Sequence, residues 1–227
     1  MDTRDWRGWQ LAGFLLLSIT LNALGNGLTV CLNLGSALWT ASSVNLSHAT
    51  GMSLGNMMML MGAAVIITNA LIIGKLQWRR VLGNLVFMTP FSYLVQGATR
   101  LIQLTPVQSL PLWARVLLDF AGISLVGIAV SLYQRVNIMV HPNDDMMQIV
   151  RFKFFKGRAV LAQWGTYLIP LTLIALSAVF THRVWAVNLG TAFALIFQGS
   201  IVGWADLHIF PGLKHRHIDG VIVNRED

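Results

Sequence analysis

Long apolar runs alternate with short polar breaks along the chain. Six runs are long enough to cross a bilayer: about 9–38, 57–75, 81–103, 109–133, 159–180 and 186–206. A hydrocarbon core about 30 Å thick takes about 20 residues at about 1.5 Å rise each. Backbone groups in lipid must be satisfied internally, so runs this long and apolar predict helices. The predicted fold is therefore all-α: a polytopic membrane protein of six transmembrane helices. Two polar segments interrupt the pattern, Leu34 to Ser43 after the first run and His141-Pro142-Asn143-Asp144-Asp145 after the fourth. Each follows the first of three apolar runs in its half, so the chain reads as one module written twice.

Residue matches point the same way. Trp78, Leu82 and Gly83 recur at one offset as Trp185, Leu189 and Gly190, Gly62 pairs with Gly165, and Gly27–Leu32 resembles Gly127–Leu132. Units of three spans must enter the membrane from opposite sides, which gives two inverted three-helix repeats, about 9–103 and about 109–206. Residues 1–206 form a single membrane domain in this reading, and 207–227 a basic cytoplasmic tail.

Composition and charge sharpen the orientation. Of the residues, 55% are hydrophobic and 11% charged, against about 25% charged in soluble domains. The formal charge of +7 is spread between the apolar runs, which suits anionic headgroups and not nucleic acid. Arg4, Arg7, Lys75, Arg79, Arg80, Arg135, Arg151, Lys153, Lys156, Arg158, Lys214, Arg216 and Arg225 fall on one side, and the opposite loops hold only Arg183. That bias places both termini in the cytoplasm. The eight tryptophans fall near predicted span ends, as amphipathic rings at the headgroup level should. Cys31 is the one cysteine, so no intramolecular disulfide forms. The first run exceeds the core of a cleaved signal peptide and is expected to be retained.

Polar residues within the runs mark the candidate path. Ser18, Asn22, Asn26, Thr29, Asn33, Ser36 and Thr40 lie on one helical stripe of the first run. A second stripe holds Thr89, Ser92, Tyr93, Gln96, Arg100 and Gln103. Such stripes serve either as hydrogen-bonding contacts between helices or as the wall of a polar cavity. Arg115 and Asp119, four residues apart, share a face and are expected to pair, with Arg100 also within reach of Asp119. The pair reads either as a structural salt bridge or as a proton or ion coupling site. For segments 39–50 and 143–156 three structures stay open: re-entrant half-helices reaching a central site, interfacial helices, or loops. After Pro142, Asn143 or Asp144 can cap a short helix, and Asp144 and Asp145 would favour a cation or proton at its start.

Gly25-Asn26-Gly27, Leu34-Gly35-Ser36-Ala37-Leu38-Trp39, Gly51-Met52-Ser53-Leu54-Gly55, Leu82-Gly83-Asn84 and Pro142-Asn143-Asp144 resemble the YczE/YyaS/YitT-type integral membrane proteins of bacteria over about 10–206. The resemblance implies a bacterial cytoplasmic membrane and transport, with a Gly-x-x-Pro-x-Asp pattern in both halves. Here Leu38-Trp39-Thr40 stands where Pro-x-Asp would follow Gly35, and the second half lacks the glycine before His141.

The functional expectation is an inner-membrane transporter or channel for a small solute or ion, working by alternating access. A non-transporting membrane scaffold is the alternative. Asn22, Asn26, Asn33, Gln96, Arg100, Arg115, Asp119, Asn143, Asp144 and Asp145 are the expected path residues. No catalytic motif, metal site or cofactor signature is present in the sequence, and the protein is not expected to be an enzyme. Expected partners are the lipid bilayer and the solute or ion, with a homo-oligomer open because both faces of the fourth span must meet protein or water.

Overall fold

A polar break inside an apolar run ends a helix wherever a residue takes the left-handed conformation, and that happens twice in equivalent places. In this computed structural model, which describes residues 6–156 and 159–214, Asn33 and Asn137 both sit at a helix C-cap with positive φ, 52° and 46°. Asparagine tolerates that region better than other residues with a Cβ. The expected span over 9–38 therefore stops at Leu32. Arg4, Arg158, Arg216, Arg225 and most of the basic tail, including His215 and His217, lie outside the described residues.

Eight α-helices follow among the described residues: α1 Gly8–Leu32, α2 Leu38–Thr50, α3 Leu54–Ile73, α4 Trp78–Gln103, α5 Leu112–Val136, α6 Pro142–Lys153, α7 Ala159–Thr181 and α8 Leu189–His208. A 3-10 turn, Pro106–Ser109, leads from α4 to α5. The order long, short, long, long thus occurs twice. Four helices, α1, α3, α5 and most of α7, are long and apolar enough to cross a membrane. Several apolar helices of this kind mark a membrane protein. α4 and α8 have 26 and 20 residues and are not among these four; α4 carries Arg79 and Arg80 in its first turn.

α1 and α5 form the central crossing, α1 also packs on α4, and α5 on α8. Glycines permit the close approach. A Cβ at Gly25 would stand 2.6 Å from the Gly122 carbonyl oxygen, and one at Gly27 would stand 2.7 Å from the Ala98 Cβ of α4. Gly127 does the same work against Ile201 of α8. Small residues at helix crossings exchange side-chain volume for dispersion contact, the main attraction available between helices in lipid.

The two short helices are packed inside the bundle and do not lie flat on it. Each contacts both α3 and α7. α2 buries Leu38 and Thr40 to Asn45, and α6 buries Pro142, Asp145, Met146 and Ile149. The turns leading into them are pinned to the helices of the other half. Gly35, with φ 127°, lies against the start of α8, where the Gly190 amide donates to the Leu34 carbonyl at 2.8 Å. A Cβ at Gly83 of α4 would lie 3.9 Å from the Met139 Cα, and the neighbouring Asn84 amide donates to the Val140 carbonyl at 3.0 Å. Gly83 and Gly190, matched in the sequence, therefore meet the two corresponding turns.

The halves differ in one contact. α3 packs on α4 along its length, with Gly62 so close to Met88 that a Cβ would overlap the sulfur. α7 and α8 stand apart, with little direct contact between them.

Candidate functional site

Where the starts of α2 and α6 meet, a cavity of about 70 Å³ opens, walled also by α1, α3, α4, α5 and α8. Its polar wall is a chain of hydrogen bonds. The Thr40 hydroxyl donates to Asn26 Oδ1 at 2.5 Å, and the Asn26 amide donates to Asn22 Oδ1 at 2.6 Å. Asn22 reaches the Tyr133 hydroxyl, which donates to Asp144 Oδ2. The start of α2 is thereby connected to the start of α6 through α1 and α5. Buried amides and hydroxyls joined this way are each satisfied and fix one geometry.

Two further polar atoms face the same cavity without partners among the described residues. Asn143 Oδ1 and Gln198 Oε1 are buried and unbonded. A buried acceptor left unpaired costs about 1–3 kcal/mol, so its presence needs an explanation. The cavity shares Ala37, Trp39, Val130, Asn143, Asp144 and Gln198 with a chamber of about 660 Å³. That chamber fills the gap between α7 and α8 and runs on to Arg151 of α6 and Asp206 of α8.

Four of the ten expected path residues come together here: Asn22, Asn26, Asn143 and Asp144. Of the others, Asn33, Gln96, Arg115 and Asp145 bond within the scaffold. Asn33 accepts from the Ala186 amide at 2.9 Å, and Gln96 accepts from the Gly55 amide at the start of α3 at 2.8 Å. Arg115 does not pair with Asp119; its Nη2 donates to the Leu32 carbonyl at 2.8 Å, next to the left-handed cap of α1. A cation at a helix C-terminus is favoured by the axial dipole, which explains why that bond displaces the expected i, i+4 pair. Arg100 is exposed on α4. Asp145 forms an ion pair with Arg80 at 2.9 Å, tying α6 to the first turn of α4.

Asp119 is fully buried, and neither carboxylate oxygen has a partner among the described residues. It is wedged beside Gly190 at the start of α8, where any Cβ would overlap its Oδ2. The positive end of α8 is the charge complement that the geometry supplies there.

Tyr133, Thr40 and Gln198 are not among the expected site residues, although Thr40 lies on the polar stripe of the first run. Tyr133 carried a legible signal: a phenol in an apolar run needs a hydroxyl partner when buried. By sequence Arg135 is only a cytoplasmic charge. It is buried, 1% exposed, and donates to the carbonyls of Ile209 at 2.9 Å, Leu213 at 3.0 Å and Phe210 at 3.1 Å, closing off the end of α8.

A family model matches residues 10–206, and its description is a family of unknown function, DUF6198. The chain belongs to DUF6198. The match covers the stretch on which the YczE/YyaS/YitT-type likeness rests, and that likeness remains a resemblance beside the family. A Haemophilus influenzae protein described as uncharacterized is 27% identical over 207 residues, covering 91% of this chain and 88% of that protein. No solved structure matches. The DUF6198 stretch ends inside α8 and contains the central cavity whole.

Proposed function

We propose that this DUF6198 protein is a six-span carrier of a small solute or ion in a bacterial cytoplasmic membrane, built from two inverted repeats that work by alternating access. The observation that carries the reading is the polar cavity between the starts of two buried short helices, which shares lining residues with the chamber between α7 and α8. Discontinuous helices that meet near the middle of a bundle are how inverted-repeat transporters build their sites.

The repeat is supported by paired features. Asn33 and Asn137 cap α1 and α5, Leu38 and Pro142 begin the short helices, and Thr40 and Asp144 occupy the same position within them. The partners are exchanged as an inverted pair requires: α1 packs on α4 as α5 does on α8, and both short helices pack on α3 and α7. α4 and α8 complete six spans in this reading.

With both termini in the cytoplasm, the chamber lined by Arg151 and Asp206 faces inward. The corresponding gap between α3 and α4 is closed at Gly62 and Met88. Exchange of these two packings would carry the cavity from one side to the other.

Flux into liposomes containing the purified full chain tests the reading, with a solute panel and a Cys31→Ser, Gly62→Cys, Met88→Cys variant. Gradient-driven flux should stop when the two new thiols are oxidised and return on reduction. Absence of flux for every solute, or flux indifferent to the cross-link, would favour a non-transporting scaffold.

A further inference from the structure

Resting on the reading of the chamber as a substrate path, we propose that the central cavity binds a small zwitterionic amino acid, its carboxylate at the start of α2 and its ammonium beside Asp144. The two short helices arrive at the cavity with opposite hydrogen-bonding needs. α2, of 13 residues, begins after Ala37, which has no side-chain acceptor to cap it. Hydrogen bonding starts only where the Ala41 amide donates to the Ala37 carbonyl at 2.8 Å, so the amides of Leu38, Trp39 and Thr40 are left as donors. Uncapped first-turn amides and the positive end of the helix dipole suit a carboxylate.

The backbone at the start of α6 has no donor to spare. Pro142 lacks an N–H, the Asn143 amide donates to His141 Nδ1 at 3.3 Å, and the Asp144 amide donates to the His141 carbonyl at 3.0 Å. This side presents acceptors instead: the Asp144 carboxylate, held by Tyr133, and the unpaired oxygens of Asn143 and Gln198. An ammonium group carries three N–H donors and no acceptor. Three acceptors face it here.

A ligand of one sign leaves half the site unsatisfied. An anion would sit against Asp144, and a metal or amine cation would leave the α2 amides bare. A molecule bearing both groups satisfies both ends and brings no net charge into the bundle, where an unmatched charge is costly. The cavity of about 70 Å³ holds roughly five water-sized groups, since one needs about 10–15 Å³. That is the scale of a short amino acid, with the larger chamber as its route in.

Calorimetric titration of the purified full chain in detergent tests this with glycine, β-alanine and 4-aminobutyrate. Propionate, ethylamine and trimethylglycine serve as probes lacking the amine, the carboxylate and the N–H donors. At least one amino acid should bind saturably and about tenfold or more tighter than all three probes, about 1.4 kcal/mol. Asp144→Asn should weaken it by at least the same factor. Gln198→Leu should weaken it while leaving the melting midpoint no lower, because the oxygen it removes has no partner among the described residues. A probe of single charge binding as tightly, no amino acid binding, or indifference to both variants overturns the assignment. Flux of another solute without amino-acid binding overturns the ligand and leaves transport standing. Saturable amino-acid binding without any flux leaves the ligand and removes transport.

Discussion

The two halves of the bundle share an order of helices but not a state of packing. In the first, α3 and α4 lie together, and Gly62 admits Met88 into the seam. In the second, α7 and α8 are separated by the chamber, and Gly165 faces the ring of Phe155 on the α6–α7 connection instead of a residue of α8. The same contrast appears at the short helices. α2 starts bare after Ala37, and α6 starts after His141 with its amides used and a carboxylate in its first turn. The shared helix order thus supplies the frame, and the departures from it supply a tight seam, a separated pair of helices and a polarity across the cavity.

Substitution at the turn before α2 should separate the halves most. Gly35 has a backbone conformation that residues with a Cβ rarely adopt, and a Cβ there would overlap the Thr191 amide nitrogen and lie 2.7 Å from that of Gly190. Backbone on both sides of the contact leaves nothing flexible to yield. Gly35→Ala is expected to cost about 4 kcal/mol or more, or to prevent folding. Met139→Ala, at the corresponding place in the second half, should cost only about 1–2 kcal/mol of lost packing. Melting midpoints in detergent compare the two, and an equal loss would sink the claim that the turns carry different constraints.

The sequence made the long apolar helices legible because twenty apolar residues have few other outcomes. It also located both breaks, through Asn33, Gly35 and Pro142. The burial of α2 and α6 was not legible, since a basic flank such as Arg151 and Lys153 fits an interfacial helix as well as one packed between α3 and α7. The site was half legible. Asn22 and Asn26 announce a polar face by their spacing, but Arg115 and Asp119 were separated by a carbonyl at the end of α1 that only the fold brings near. Asp145 likewise found Arg80 across a distance in sequence that no helical period reports.

That ion pair gives the next largest expected effect. Asp145 is 3% exposed and pairs with Arg80, while the corresponding residue of α2, Ala41, is fully buried and apolar. Asp145→Ala leaves the guanidinium without its carboxylate and should cost about 3 kcal/mol, in the range for breaking a buried pair. Adding Arg80→Met should return part of that loss. If the double variant is no more stable than the single one, the pair is not what fixes α6 to α4.

Smaller again is the cost of closing the packed seam differently. Gly62→Ala meets the end of a flexible methionine, so about 1–2 kcal/mol is expected. Gly165→Ala, whose Cβ would lie 3.1 Å from the Phe155 ring, should cost less than about 1 kcal/mol by a small shift of that ring. Denaturation of the two variants side by side checks whether the seam of the first half is the tighter one. A Gly165→Ala loss as large as that of Gly62→Ala would mean that both seams are equally constrained despite the chamber.

The least costly change is also the most discriminating, because it should raise stability. Ala37 leaves α2 without a side-chain cap, and Ala37→Ser would place a hydroxyl where it can accept from the first-turn amides. Capping residues contribute about 1 kcal/mol over alanine, so the melting midpoint should rise. Those amides are the same donors assigned to the ligand carboxylate, so amino-acid binding should weaken while the fold tightens. The mirror variant, His141→Ala, removes the acceptor for the Asn143 amide and should lower stability by about 1 kcal/mol with a smaller effect on binding. Opposite movement of stability and affinity at position 37 is the result that a purely structural role for the start of α2 does not produce; parallel movement would return α2 to the scaffold.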